Sequence, residues 1–281
     1  MGKYLVIFLV ALGSFSMLLG QENPESWASA QKTGKALLKV NYFENDPFFY
    51  RGSTHELLGL EFEILQEFSH WAKAMKGVDV SFEFLPYTDF ESFYLNTKRA
   101  TVGTVGSGSV SIKKLRIKEA RFSKAYLKNI AVLVSSIEVN SLTDYSLFSE
   151  IFKGRKAVVV KGSSHEKEMN RIKRRYFKTL EIEYVNSPDE VLSKILGNPL
   201  YFGYIDLISY RAFTLRKEGL LRAHRVADRA KDSFGFMFPK SSDWNKPFNQ
   251  FLKGGFFRLA EYHKIMDNYL DIQTINEVQM K

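Results

Sequence analysis

Few residues in this sequence have the type and spacing to do chemistry. Arg116 sits in the run Ile112-Lys113-Lys114-Leu115-Arg116-Ile117-Lys118. Its planar fork suits a two-point contact with a carboxylate, while Lys113, Lys114, Arg116 and Lys118 together also read as one solvated basic helix face. Asp206 closes the apolar run Leu200–Ile205. There a parallel strand opens into a cleft, or a helix over 207–213 takes an N-cap, and one aspartate can do both. Gly103, Gly106 and Gly108 form neither G-x-G-x-x-G nor a Walker loop, because no Gly-Lys-[Ser/Thr] follows. These glycines read as allowing close backbone approach near a ligand. His165-Glu166-x-Glu168 lacks the second histidine of a zinc-protease helix. His55, His70, His165, His224 and His263 fall singly, without metal-ligand spacing, and no G-x-S-x-G elbow is present. Catalytic and metal residues are therefore both expected to be none, and no cofactor is implied.

The elements that position these residues alternate. Leu37–Tyr42 is a short apolar strand, and Leu60, Ile64, Phe68 and Trp71 recur at helical spacing. Val78–Phe84 alternates as a half-buried strand. Phe90, Phe93 and Tyr94 open a helix, and Thr101–Ser111 is a strand followed by a glycine-rich stretch. Strands are expected at Ala157–Val160, Ile182–Val185, Tyr201–Ile205 and Phe234–Phe238. The helices between them are Glu166–Phe177, with a strongly basic face, and Pro188–Leu196, with Ser187 as N-cap. Phe248–Leu270 is a terminal helical region interrupted by Gly254-Gly255. This order implies an α/β fold with parallel sheets and ligand sites at the carboxyl ends of the strands.

The chain has 281 residues, 40 Lys plus Arg against 31 Asp plus Glu, a formal net charge of +9, and no cysteine. The last point excludes disulfide scaffolds, thiolate zinc sites, iron–sulfur clusters and cysteine nucleophiles. Met1–Gly20 has one charge, Lys3, ahead of a continuous apolar run, and reads as a secretory signal peptide over 1–20. Residues 21–36 follow as a loose polar leader. An exported protein rarely meets chromosomal DNA, so no nucleic-acid partner is expected despite the positive charge.

Three stretches, in this order, resemble one family. Residues 37–68, LLKVNYFENDPFFYRGSTHELLGLEFEILQEF, combine a strand, a Pro-Phe loop and a G-φ-[DE]-φ-[DE]-φ helix start. Residues 109–123, SVSIKKLRIKEARFS, carry [ST]-I-x-x-x-R followed by Phe-Ser. Residues 234–242, FGFMFPKSS, carry an aromatic-Gly-φ-φ-φ-x-Lys segment. Together they are similar to the type II periplasmic solute-binding proteins of the polar amino acid group, extracellular solute-binding family 3, which serve ABC importers.

The resemblance implies two Rossmann-like lobes joined by two crossover strands, with a cleft between them. Lobe one would be 37–126 plus 235–281 and lobe two 130–231, with hinges at 126–130 and 231–234. It implies a periplasmic, monomeric protein that binds an amino acid-like small molecule and delivers it to a transporter permease in the membrane. Arg116 stands at the family's carboxylate-binding arginine, and Ser109 and Ser111 at positions that add hydroxyl and backbone donors. Asp206 stands where an aspartate pairs with the ligand's ammonium. Phe90 matches a covering aromatic, Tyr42 and Asn45 fall on first-loop contact positions, and Ser163 and Ser164 match a K-G-[ST]-[ST] loop at a helix start. Lys113 replaces a small or hydroxyl residue, and an extra cation at the cleft mouth favours an anionic ligand, with glutamate binding more tightly than lysine. Some relatives of the fold are dehydratases of prephenate-like compounds, so an enzymatic variant stays open beside the binding reading, as does a sensory descendant.

Overall fold

The computed structural model describes residues 26–216 and 221–280. The expected signal segment, 1–20, lies outside the described residues. The loose leader expected over 21–36 is corrected where it is described, because Trp27–Thr33 forms helix α1. Ser26 caps it by accepting from the Ser29 N–H at 3.2 Å. The Asp243 carboxylate accepts from the N–H groups of Trp27 and Ala28 at 2.8 and 3.1 Å. Trp27 packs edge-on against Trp244, with ring centroids 5.3 Å apart. One buried aromatic ties down a segment whose composition is otherwise polar.

The first part of the chain runs β1 (Lys35–Phe43), β2 (Tyr50–Arg51), β3 (Leu57–Leu58), α2 (Leu60–Lys76), β4 (Asp79–Tyr87), α3 (Phe90–Arg99), β5 (Thr104–Ser107), α4 (Arg116–Glu119) and β6 (Arg121–Phe122). The second runs β7 (Leu127–Ser136), α5 (Phe148–Ile151), β8 (Lys156–Val160), α6 (Ser164–Arg175), β9 (Ile182–Val185), α7 (Pro188–Gly197), β10 (Tyr201–Asp206), α8 (Leu207–Arg216), β11 (Leu221–Ala223) and β12 (Arg229–Phe234). The chain then returns through β13 (Met237–Phe238), α9 (Asn245–Lys253), α10 (Ala260–Tyr269) and α11 (Ile272–Val278).

The first sheet has the order β4-β1-β5-β13-β6, and the second β11-β7-β10-β8-β9, with β12 paired to β7. Parallel pairing holds for β1 with β4 and β5, and for β8 with β9 and β10. The sheets are nevertheless mixed, not parallel as the alternation implies. The chain enters the second sheet on β7 and leaves it on β12, and these two crossing strands lie side by side with Leu127 opposite Phe234. A strand that returns beside the one that entered must run antiparallel.

Helix α2 lays Leu60, Ile64, Leu65 and Phe68 against the first sheet, all 1% exposed or less, and Phe68 stacks on Phe248 of α9 at 3.8 Å. A smaller core in the second half gathers Phe148, Phe152 and Phe202. Gly203 allows β10 to lie close to β8, since a Cβ there would sit 2.2 Å from the Val158 carbonyl oxygen. Truncating Trp27 to alanine should cost about 3 kcal/mol, the usual scale for emptying a buried aromatic site. Urea unfolding checks this, and a segment with no part in the fold would leave stability unchanged.

Candidate functional site

The carboxyl ends of β1, β5, β8 and β10 converge on one cavity between the two sheets. From the first half of the chain it is lined by Phe43, Asn45, Phe90, Ser109, Ser111 and Arg116. From the second half come Val160, Ser163, Ser164, His165, Pro188 and Asp206. Helices α3, α6 and α7 begin at its walls, on Phe90, Ser164 and Pro188. Helix N-termini carry positive dipole ends, and here Asp89, Ser163 and Ser187 cap them by accepting from the Ser92, Glu166 and Glu190 N–H groups. The cavity measures about 30 Å³, against the roughly 10–15 Å³ that a single water needs.

Arg116 dominates the electrostatics. It is 6% exposed, and burial draws its pKa down against the opposing pull of Tyr94, Asp232, Asp206 and Glu119. The guanidinium lies 5.3 Å from the centre of the Phe90 ring and 5.2 Å from that of Tyr94. It donates to the Ser111 carbonyl at 3.3 Å and to the Gly162 carbonyl, across the cleft, at 3.4 Å. Arginine keeps its charge under such conditions, so the cavity holds a largely desolvated cation with two long contacts to neutral carbonyls.

Other bonds also cross between the halves. The Ser209 hydroxyl donates to Asn45 Oδ1 at 3.3 Å, and Lys161 pairs with Glu91 at 2.8 Å. Arg216 pairs with Asp46. Asn45 also donates through Nδ2 to the Ser109 hydroxyl oxygen at 2.9 Å. This bond helps hold Ser109 at φ 47°, a left-handed backbone that serine adopts at a cost of about 1 kcal/mol.

Glu61, in the first turn of α2, supports that loop from beneath. It is fully buried and accepts from the Ser107 hydroxyl at 2.7 Å, the Ser109 N–H at 3.0 Å and the Tyr126 hydroxyl. Burial pushes its pKa up to about 7, against the lowering effect of these bonds. The G-φ-[DE]-φ-[DE]-φ signature marks Glu61 as a helix start. Its link from helix to cleft loop and crossing strand depends on residues 46 to 65 positions away.

Most of the expected site residues are brought together: Arg116, Asp206, Ser109, Ser111, Phe90, Ser163, Ser164 and Asn45 all line the cavity. Tyr42 is not brought there. It is fully buried and stacked on Phe49 at 4.2 Å, because successive strand residues face opposite ways and the neighbouring Phe43 takes the cavity side. Lys113 is not a spare cation at the mouth, since it pairs with Asp232 of β12 at 2.8 Å. Gly106 and Gly108 do permit close approach, but to protein. Added Cβ atoms would meet Thr97 Cγ2 at 2.6 Å and Phe43 Cβ at 2.7 Å.

The reading of the histidines as single residues misses His165. It follows Ser163-Ser164 on α6, and its Nε2 lies 3.1 Å from Asp206 Oδ1, both side chains less than a tenth exposed. His224, by contrast, is a satisfied core residue. Its Nδ1 accepts from the Leu142 N–H at 3.0 Å, which leaves Nε2–H to donate to Ser135 Oγ at 2.8 Å.

No family model and no curated protein matches the chain. Solved structures do. An ancestral arginine-binding protein bound to arginine is 17% identical, covering 84% of this chain and 98% of its own, with a TM-score of 0.68. A putative ABC transporter binding component from Wolinella succinogenes, complexed with lysine, is 17% identical over 85% and 98%, with a TM-score of 0.68. An ABC uptake transporter substrate-binding protein from Streptococcus pneumoniae with bound histidine is 13% identical over 86% and 95%, with a TM-score of 0.69. At this identity the likeness establishes the fold, the two-lobed type II periplasmic binding protein architecture that the motifs imply. Among the described residues no helix is long and apolar enough to cross a membrane.

The unfolded chain gives up the Glu61 proton near 4.5, the ordinary value for a glutamate, whereas the folded one keeps it until about 7. Stability should therefore fall as pH rises through that window, by about 3 kcal/mol at most. Glu61→Gln should flatten this component. Urea unfolding of variant and wild type at pH 5 and pH 8 checks it, and equal losses in the two proteins would contradict it.

Proposed function

We propose that the protein is an extracytoplasmic solute-binding protein that captures an amino acid or similar small anionic solute for ABC-type import. The observation that carries this reading is Arg116. A desolvated guanidinium, set against the Phe90 and Tyr94 rings, faces a cavity between two lobes with hydrogen bonds only to two carbonyls, both long, and an anionic ligand supplies a charged partner. The solved structures that share the fold support it, since those named above are binding proteins holding arginine, lysine and histidine. A cavity at the interface of two lobes joined by two strands also suits capture by closure, with the lobes swinging about 126–130 and 231–234.

In this reading 37–126 with 235–281 forms one lobe and 130–231 the other. The segment 1–20 directs export to the periplasm, and a membrane permease is the downstream partner. The protein acts as a monomer. The preference for an anion rests on Arg116 and the serines around it, not on Lys113. The basic face of α6 is a solvated surface, in which Arg171 is tied to Glu168 at 2.9 Å.

Thermal-shift measurement with a panel of small carboxylates and amino acids tests the proposal. A ligand held by the native state alone raises stability by about 2.7 kcal/mol at a hundred times its Kd. At least one small carboxylate should raise the melting temperature of the wild type. Arg116→Ala should lose the shift and Arg116→Lys most of it, because an ammonium lacks the fork. Lysine and arginine should give none. Stabilisation that survives in Arg116→Ala would place the ligand elsewhere.

A further inference from the structure

The chain has a formal net charge of +9, and part of that excess gathers on a face outside the cleft. Two adjoining grooves lie there, with Lys124 and Ala125 in the walls of both. Arg121 and Lys240 line the first groove, Lys253 and Arg258 the second. All five cations are exposed, and no Asp or Glu lines either groove. Among the described residues none of the five forms an ion pair. Arg121 Nε donates to the Lys240 carbonyl at 2.7 Å and Lys240 Nζ to the Ile117 carbonyl at 2.8 Å. These bonds hold two of the charges in place without neutralising them. Helix α4 stands between this face and the cleft, since Arg116 lines the cavity while Ile117 lines the first groove.

The chemistry of these walls suits an acidic polypeptide. The charge is strung along both grooves, as a chain requires and a single small anion does not. Apolar surface is interleaved with it. Ile117 is 47% exposed and Phe122 and Phe257 are half-buried, which a hydrophilic anion would leave uncovered. The backbone offers a further match. β6 is the outermost strand of its sheet and pairs only with β13. The Ser123 N–H bonds inward to the Phe236 carbonyl, so by the alternation of an antiparallel ladder the Phe122 N–H and C=O face outward. Such an edge is a template for an extended peptide. Asn245 Oδ1, in the wall of the same groove, has no hydrogen-bond partner among the described residues. A peptide N–H supplies one, and a carboxylate or phosphodiester does not.

We infer that this face is a docking surface for an acidic, partly apolar segment of a partner polypeptide, its backbone beside β6 and its carboxylates against Lys124, Lys253 and Arg258. The inference goes beyond the solute-binding reading and does not depend on it. Arg174, Arg175 and Lys178, at and just after the end of α6, supply the contrast. They are equally exposed but line neither groove.

Fluorescence anisotropy with a labelled eight-residue peptide of alternating glutamate and leucine tests this, the alternation matching Arg121 and Phe122 on opposite faces of β6. The wild type should bind it at least about tenfold more tightly than a peptide with serine in place of leucine. Lys124→Glu with Lys253→Glu and Arg258→Glu should weaken binding at least about tenfold. Arg174→Glu with Arg175→Glu and Lys178→Glu changes the net charge equally and should cost less than about threefold. N-methylation of the peptide should cost about fivefold or more, the scale of one backbone hydrogen bond. Circular dichroism establishes that the variants are folded. If the first triple variant is not, Lys124→Ala and Arg258→Ala singly should each cost about threefold. Equal losses in the two triple variants would mean attraction to net charge alone and overturn the inference. Equal binding of the serine peptide, no effect of N-methylation, or full displacement by citrate would do the same. Phosphatidylglycerol vesicles that displace the peptide and depend on the same three residues would make the face a lipid surface and overturn it. So would no peptide binding by folded wild type, and the solute-binding reading would stand or fall separately on its thermal shifts.

Discussion

A positive charge buried between two lobes is the constraint on which this structure depends. Moving a guanidinium from water to a site 6% exposed costs several kcal/mol in solvation. The protein offsets part of it with the faces of Phe90 and Tyr94 and with carbonyls of Ser111 and Gly162. The Gly162 contact comes from the opposite half of the chain. In the proposed reading, capture of an anion and closure of the cleft are coupled, because each completes the environment that Arg116 needs.

The surrounding architecture keeps that cation in place. β5 ends at Ser107, and the chain must turn within a few residues to start α4 at Arg116. Glu61 fixes the turn from the core side through Ser107 and Ser109, and its bond to Tyr126 ties the same carboxylate to the start of β7. One buried carboxyl group therefore links α2, the cleft loop and the strand along which the halves are joined. Asn45, itself buried at the cavity wall, also links elements, bonding to Ser109 in its own half and to Ser209 in the other. The lone cross-cleft ion pairs at the surface, such as Lys161 with Glu91, add little by comparison.

Much of this is legible in the sequence, and the failures have definite physical causes. Arg116, Asp206 and the four serines stand at strand ends and helix starts, and the family resemblance, carried by motifs in chain order, is what places them near one cleft. Tyr42 fails because a strand has a period of two, and a one-residue choice of face exchanges Tyr42 for Phe43. His165 fails because its partner is 41 residues distant, so nothing local separates it from a packed histidine such as His224. Lys113 reads as a free cation until the return strand delivers Asp232 beside it. Helix α1 is hidden because its hold on the fold comes from Asp243 and Trp244, more than 200 residues along the chain.

The central claim is that the cleft closes on an anion held by Arg116, and a crystal structure of the protein with its tightest-binding small carboxylate tests it most directly. The account predicts both carboxylate oxygens within about 2.7–2.9 Å of the guanidinium nitrogens, as charge-assisted pairs require, with Ser109, Ser111 and Ser163 donating to the ligand. A carboxylate bound elsewhere, or bound in the cleft with Arg116 turned away from it, would contradict the account.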